Sequence, residues 1–170
     1  SLKIIFQNSN DLNFLSKVCN LNSNDIVLIK GSGVDLNFFK PHKHLSKNTN
    51  ILFASRLLKS KGVLEFCRSA LQLKSKKYQF LLAGKIDNDG PDRISLKQIN
   101  AWEKEGIIKY LGDVKKIRDL IIDSEIVVLP SYYGEGLPRI LIEAAAYGKP
   151  IITTDHPGCR DAVEENISGL

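Results

Sequence analysis

Two carboxylates, Glu135 and Glu143, lie close together in the sequence with seven residues between them. We predict that Glu135 lies at the mouth of a helix and that Glu143 lies inside it, about 9 Å further along the helix axis. Free backbone N–H groups at the start of that helix would form an anion site between the two carboxylates. This layout suits a ligand with a central phosphate and a hydroxyl-bearing group on each side. An equal alternative is that both glutamates are solvated helix residues.

The elements that must position these carboxylates are a strand, a loop and a helix. Residues 126–130 are apolar and rich in β-branched side chains, which is typical of a buried strand. Residues 131–136 contain two glycines and are predicted to form a loop. Pro138 suits the first turn of the helix. We expect this helix to end near Tyr147, with Gly148 in the left-handed cap position.

Strands alternate with helical patterns from residue 50 onward, which predicts an α/β fold with a parallel, doubly wound sheet. The remaining strands are expected at 51–54, 78–83, 107–111 and 151–154, and the helices at 63–74, 94–105 and 117–123. Residues 161–165 are expected to begin or extend a last helix. Ligands bind at the carboxyl ends of the strands in such folds. The polar and glycine residues predicted at those ends are Ser55, Arg56, Gly84, Lys85, Gly112 and Asp113.

Residues 1–30 are predicted to form a separate strand–helix–strand unit. The strand candidates are 2–6 and 26–29, and Asp11 is expected to cap the helix between them. The segment 31–33 is interpreted as a turn or linker rather than a phosphate loop.

Several motifs resemble the donor-site signature of the retaining family 4 (group 1) glycosyltransferases. The matching residues include Arg56, Lys61-Gly62, Gly112, Pro130-Ser131, Glu135-Gly136-Leu137-Pro138, Glu143-Ala144 and Pro157-Gly158. The resemblance implies the C-terminal, donor-binding half of a GT-B enzyme with a Rossmann-like sheet. We therefore expect residues 1–35 to be a remnant of the first, acceptor-side domain and 36–49 to be a linker. Residues 50–170 would form a nucleotide-sugar-binding domain that stops before its usual C-terminal helices.

The resemblance also implies a role for each matching residue. Arg56 and Lys61 would bind the donor diphosphate and stabilise the charge that develops on the leaving phosphate. Glu143 would hold the ribose hydroxyls, and Glu135 would act beside the transferred sugar. Other donor contacts are expected from Ser131, Gly84, Gly112, Val114, Gly136, Leu137 and Pro138. Tyr132 and Tyr133 could equally line the pocket or simply pack.

The implied activity is transfer of a sugar from a nucleotide diphosphate, predicted to be UDP, to a glycan or lipid-linked acceptor. The fragment alone is expected to be inactive. Two alternatives from other classes remain open: a non-catalytic nucleotide-sugar-binding subunit and a nucleotide-sugar epimerase of related fold.

The net charge of +5 is compatible with an acidic partner, such as a diphosphate ligand or an anionic membrane surface, while most of the lysines are interpreted as scattered, solvated surface residues. We find no aromatic–basic pattern that would indicate nucleic-acid binding and no apolar run long enough to span a membrane. The sequence begins with Ser and lacks Met, so we expect a piece of a longer protein without a signal peptide. We expect a cytoplasmic protein with a peripheral contact at the inner face of a membrane.

Cysteine, histidine and aspartate residues are the candidates for metal ligands and disulfides. Cys19 and Cys67 fall within helical patterns and are predicted to be buried free thiols, which suits a reducing compartment. Residues 87–89 read Asp-Asn-Asp, a metal-binding pattern of a different glycosyltransferase fold, but Gly90 and Pro91 favour a turn. His42 and His44 are interpreted as loop residues. We predict that no metal and no cofactor is required.

Overall fold

Two parallel sheets organise the described residues, 2–41, 49–87 and 89–170, of the computed structural model. The smaller sheet pairs strand β1 (Ile4–Phe6) with strand β2 (Ile26–Leu28), and helix α1 (Ser9–Cys19) connects them. Asn8 caps α1, because its side-chain oxygen accepts a hydrogen bond from the N–H of Asp11. The prediction that Asp11 is the cap is therefore wrong, since Asp11 lies in the first turn and supplies the N–H that is capped.

The larger sheet contains five strands, β3 (Thr49–Ala54), β4 (Tyr78–Ala83), β5 (Lys109–Gly112), β6 (Ile126–Leu129) and β7 (Ile151–Thr153). The helices that flank it are α2 (Val63–Gln72), α3 (Leu96–Lys104), α4 (Ile117–Ile122) and α5 (Arg139–Ala146). The spatial order is β5–β4–β3–β6–β7, and all pairs are parallel. Because the order reverses direction at β3, right-handed crossovers place helices on both faces. This confirms the predicted Rossmann-like, doubly wound α/β fold.

The central strand β3 lies in the core of the larger sheet. Leu52 and Phe53 are fully buried, and the ring of Phe53 packs 5.4 Å from that of Phe66 on α2. The Phe66 ring in turn packs 5.5 Å from that of Phe80 on β4. These contacts fix α2 against the two strands whose carboxyl ends were predicted to carry Arg56 and Gly84.

Two predictions about buried positions on helices are corrected. Cys19 is exposed at the end of α1, where no residue of the helix is buried, whereas Cys67 on α2 is buried as predicted. The periodicity of residues 63–74 also predicts Leu71 and Leu73 on the apolar face of α2, but both are more than half exposed. Leu73 lies beyond the end of the helix at Gln72, and the buried face of α2 consists of Val63, Phe66, Cys67 and Ala70.

No α-helix forms at 161–165, contrary to prediction. The chain instead forms a short 3-10 turn at Arg160–Ala162, after which Val163 is extended. Asn166 has a left-handed backbone with φ of 63°, and Glu165 pairs with Gly169 in a short bridge. The chain therefore turns back along β7 instead of continuing as a helix.

The segment before β3 is packed at its start. Phe39 is buried with its ring 5.3 Å from that of Tyr147, which follows α5. Residues 42–48, which include His42 and His44, lie outside the described residues. None of the helices in the described ranges is long and apolar enough to cross a membrane.

Candidate active site

A cavity of about 410 Å³ lies at the carboxyl ends of β3, β4 and β5, against the first turns of α5. Four residues predicted from the motifs line it, namely Arg56, Gly84, Val114 and Glu143. Its other polar lining residues are Ser55, Lys85, Asp113 and Arg139. The cavity therefore combines basic side chains with two carboxylates at the edge of the sheet where ligands bind in this fold.

Gly84 allows three strands to end close together at this cavity. Its φ is 148°, and a Cβ at this position would lie 1.7 Å from the carbonyl oxygen of Ser55. The Gly84 N–H donates to the carbonyl of Gly112, 2.8 Å away. A residue with a side chain would therefore force the ends of β3 and β4 apart.

Glu143 is only 5% exposed and lines this cavity from α5. The Nε of Arg139 lies 2.8 Å from its Oε1, one helical turn earlier on α5. The guanidinium of Arg139 is largely exposed, so the pair joins a buried acceptor to a solvent-facing cation. Sequence reasoning did not single out Arg139, although its spacing of four residues from Glu143 was a usable signal.

A second group of predicted residues lies beside this cavity rather than in its lining. The Nζ of Lys61 lies 2.5 Å from the Oε1 of Glu135, and the hydroxyl of Ser131 donates to the same oxygen over 3.0 Å. Lys61 and Ser131 are both buried. The structure therefore separates the predicted cations, with Arg56 open to the cavity and Lys61 neutralising Glu135.

The ring of Tyr133 connects the two groups. The Nζ of Lys61 lies 4.5 Å from the ring centroid, and the Cζ of Arg56 lies 5.9 Å from it. Both cations thus face one aromatic ring, an arrangement that cation–π attraction stabilises. Tyr132 is half exposed, and its N–H donates to the carbonyl of Ser60.

The loop that follows Glu135 contacts the smaller sheet unit. A Cβ on Gly136 would lie 1.9 Å from the Oε1 of Gln7, and the side-chain amide of Asn8 donates to the carbonyl of Glu135 over 3.3 Å. Leu137 packs against Gly31, where a Cβ would lie 2.9 Å from the Leu137 Cδ2. Sequence reasoning missed Gln7 and Asn8, because no local pattern reports a contact across more than a hundred residues.

The two aspartates of the Asp-Asn-Asp segment, Asp87 and Asp89, lie with Arg56 at the edge of the site. The N–H of Asp89 donates to the Oδ1 of Asp87 over 3.3 Å, and the Oδ2 of Asp87 lies 3.8 Å from the Nη1 of Arg56. Asn88 lies outside the described residues. Within the described ranges, no three His, Cys, Asp or Glu residues are grouped so that they could hold a metal ion.

Comparison with known proteins places this architecture in a family. Residues 35–170 match the family model described as glycosyl transferases group 1. The chain belongs to this family. The group 1 chain is 34% identical over 181 residues to the N,N'-diacetylbacillosaminyl-diphospho-undecaprenol alpha-1,3-N-acetylgalactosaminyltransferase of Campylobacter jejuni, covering 99% of this chain and 46% of that protein. It is 30% identical to the putative colanic acid biosynthesis glycosyltransferase WcaL of Escherichia coli K12, covering 84% of this chain and 37% of WcaL.

Solved structures agree with this family membership at the level of the fold. A glycosyltransferase from Rickettsia africae superposes with a TM-score of 0.83 at 22% identity, covering 99% of this chain and 48% of that structure. HepE from Anabaena, solved in complex with UDP-glucose, superposes with a TM-score of 0.77 at 21% identity, covering 100% of this chain and 49% of HepE. The group 1 chain thus spans about half the length of the proteins it matches.

Proposed function

We propose that this chain is the donor-binding part of a retaining glycosyltransferase that uses a nucleotide diphosphate sugar. The observation that carries the proposal is the cavity at the strand ends, in which Arg56 and the buried carboxylate of Glu143 line one binding space. A nucleotide diphosphate has the matching chemistry, because it carries anionic phosphates beside a ribose with two hydroxyl donors.

Arg56 would bind the diphosphate and Glu143 would accept hydrogen bonds from the ribose. The guanidinium of Arg56 is more than half exposed and can form a bidentate contact with phosphate oxygens. The leaving phosphate gains negative charge as the bond to the sugar breaks. Arg56 together with Lys61 would stabilise that charge more strongly in the transition state than in the ground state.

Glu135 would act beside the transferred sugar as a stabilising or positioning group. Its carboxylate is held by Lys61 and Ser131, so its position is set before a ligand arrives. The backbone of Gly136, Leu137 and Pro138 would supply the nearby contacts to sugar and phosphate. Ser131 would help to hold Glu135 in place, because its hydroxyl donates to the Glu135 carboxylate.

UDP is the nucleotide that we propose, and a lipid-linked or glycan acceptor is the partner. HepE binds UDP-glucose, and the Campylobacter relative is named for an acceptor linked to diphospho-undecaprenol. We propose that Val114 contacts the base, since it lines the cavity after β5. A lipid-linked acceptor would bring the positively charged chain to the inner face of a membrane, in the cytoplasm.

The first prediction concerns nucleotide binding, measured by calorimetry. Arg56→Ala should weaken UDP binding by about 1.5–3 kcal/mol, the scale of a charge-assisted hydrogen bond. Glu143→Gln should weaken UDP more than pyrophosphate, because pyrophosphate has no ribose. The matched control is Arg68→Ala, which removes an exposed arginine from α2, away from the cavity.

Unchanged UDP affinity in folded Arg56→Ala protein would contradict the diphosphate assignment. An equal loss of UDP and pyrophosphate affinity in Glu143→Gln would contradict the ribose assignment.

We further propose that binding needs no metal, so a chelator should leave the affinity for UDP unchanged. A loss in the presence of the chelator would make Asp87 and Asp89 the candidate ligands.

A further inference from the structure

The side chain of Asn8 links the smaller sheet unit to the loop that carries Glu135. It is 1% exposed, and its Nδ2 donates to the carbonyl of Glu135 over 3.3 Å. Its Oδ1 accepts from the N–H of Asp11 and its Nδ2 also donates to the Oδ2 of Asp11, each over 2.8 Å. The amide therefore has its two donor hydrogens and its oxygen engaged at once, which holds the side chain in one orientation.

The peptide between Glu135 and Gly136 is held from two sides. On one side, a Cβ on Gly136 would lie 1.9 Å from the Oε1 of Gln7. On the other side, a Cβ on Gly158 would lie 2.3 Å from the carbonyl oxygen of Gly136 and 2.7 Å from that of Glu135. Backbone and side-chain atoms therefore leave this peptide little freedom to rotate.

The direction of the Glu135 carbonyl decides where the next N–H points. The peptide is trans, as are all peptides in the described residues, so the carbonyl of Glu135 and the N–H of Gly136 point in opposite directions. Because Asn8 binds the carbonyl, the Gly136 N–H points away from the Asn8 side chain. Among the described residues, the Gly136 N–H has no hydrogen-bond acceptor.

We propose that Asn8 is a positioning residue that turns the Gly136 N–H toward the sugar-side phosphate and the sugar of the bound donor. The inference rests on the proposed function, in which the loop after Glu135 contacts those groups. Asn8 acts through the backbone and does not touch the ligand. Asn8, which is remote in sequence from the nucleotide-sugar motifs, thereby orients the Gly136 N–H within one of them.

Asn8 also caps α1, so the test must separate capping from positioning. Asn8→Ser keeps a side chain that caps helices well but removes the donor to the Glu135 carbonyl. Asn8→Asp is a second, stronger variant, because it keeps the cap acceptor but puts a carboxylate oxygen against the Glu135 carbonyl and the Oδ2 of Asp11, which it repels. The matched control is Asn22→Ala, because Asn22 accepts from the N–H of Asn24 as the cap of a neighbouring 3-10 turn.

Affinity is measured for UDP-glucose and for UMP, which lacks both the second phosphate and the glucose. Asn8→Ser and Asn8→Asp should weaken UDP-glucose about three- to tenfold, the range for one hydrogen bond. They should leave UMP affinity unchanged, whereas the unfolding midpoint should fall in both, because hydrogen bonds of a buried side chain are lost. The ¹H–¹⁵N resonance of the Gly136 amide should shift in both variants but not in Asn22→Ala.

Two failures are distinguishable. If the unaltered protein binds neither UDP nor UDP-glucose, the proposed function is wrong, while the Gly136 resonance still tests whether Asn8 orients the peptide. If the unaltered protein binds UDP-glucose and both variants bind it equally well with an unshifted Gly136 resonance, Asn8 is only a cap. Equal losses of UMP and UDP-glucose would also overturn the positioning role.

Discussion

At the scale of single residues, the environment of Lys61 changes what the sequence suggested. The motif implied a cation waiting for phosphate, but the ammonium group is buried and paired with Glu135. An incoming diphosphate would therefore share Lys61 with a carboxylate that is already in place. Burial strengthens this interaction, because few water molecules screen it. Arg56, by contrast, is open to the cavity and can bind an anion directly.

The thiols provide a residue-scale prediction. Burial raises the pKa of Cys67 to about 12 and also raises the pKa of Cys159, whereas Cys19 is exposed. Because the thiolate is the reactive form, a thiol reagent at pH 8 should label Cys19 quickly and the other two only on unfolding. Cys19→Ser should abolish the fast labelling. Fast labelling of two or more thiols in the folded protein would contradict the burial described here.

The raised pKa of Cys67 also makes the stability of the protein depend on pH above pH 9. The unfolded state releases the Cys67 proton near the ordinary thiol pKa of 9.0, while the folded state retains it up to about 12. The unfolded state therefore binds fewer protons in this window, and the free energy of unfolding should fall as pH rises. The contribution is at most about 1.4 kcal/mol per pH unit. A shallower slope in Cys67→Ala, measured by denaturant titration, would identify it.

At the scale of elements, a turn between β3 and α2 sets the position of Lys61. The N–H of Gly62 donates to the carbonyl of Lys59, and Gly62 has a φ of 84°. A Cβ on Gly62 would lie 2.2 Å from the carbonyl oxygen of Pro130, which follows β6. The N–H of Tyr132 donates to the carbonyl of Ser60 from the same side. This close approach brings Lys61 to the loop that carries Glu135.

Gly62→Ala should therefore destabilise the protein more than an alanine substitution at a left-handed glycine with open space around it. Gly106→Ala is the matched control, because Gly106 has a φ of 66° but a Cβ there would meet no atom of the described residues within 4 Å. We expect Gly106→Ala to lower the free energy of unfolding by about 1–2 kcal/mol. Gly62→Ala should exceed this by at least about 1–3 kcal/mol, the scale of overpacking. Denaturant titration checks both values, and equal effects would show that the contact with Pro130 relaxes freely.

At the scale of the whole molecule, the two sheet units differ in how much apolar surface they bury. Leu52 and Phe53 at the centre of the larger sheet are fully buried, while Ile5, Phe14 and Val18 of the smaller unit are each at least 60% exposed. The chain also spans about half the length of its matched relatives. The larger unit therefore has a well-packed core, and the smaller unit presents apolar side chains to solvent.

We predict that these 170 residues bind UDP but do not transfer sugar. The cavity offers groups for a donor, but the described residues that line it include none to which we assign a role in positioning an acceptor. Orientation of two reactants can account for about 7–11 kcal/mol of barrier lowering. The test compares sugar transfer by this chain with transfer by a protein of the full length of its relatives. Efficient turnover by the 170 residues would show that the site is complete within them.

Local patterns in the sequence were enough to predict the order and type of the elements around the site. Periodicity predicted β4 with the bounds that the structure has, 78–83, because a buried strand and its flanking turn residues form a local pattern. The two glycines of residues 131–136, followed by Pro138, likewise predicted a loop and then a helix, and Gly148 lies in the left-handed region as expected. These features depend on neighbours in the chain.

Which of the predicted residues meet became clear only from the folded chain. The pairing of Lys61 with Glu135, the contact between Asn8 and the Glu135 carbonyl, and the exposure of Cys19 depend on segments far apart in the sequence. A periodic pattern shows that a helix has an apolar face, but it does not show whether another element covers that face. Cys19 is exposed because α1 has no buried residue, and Lys61 is buried because a glycine lets its turn approach the end of β6.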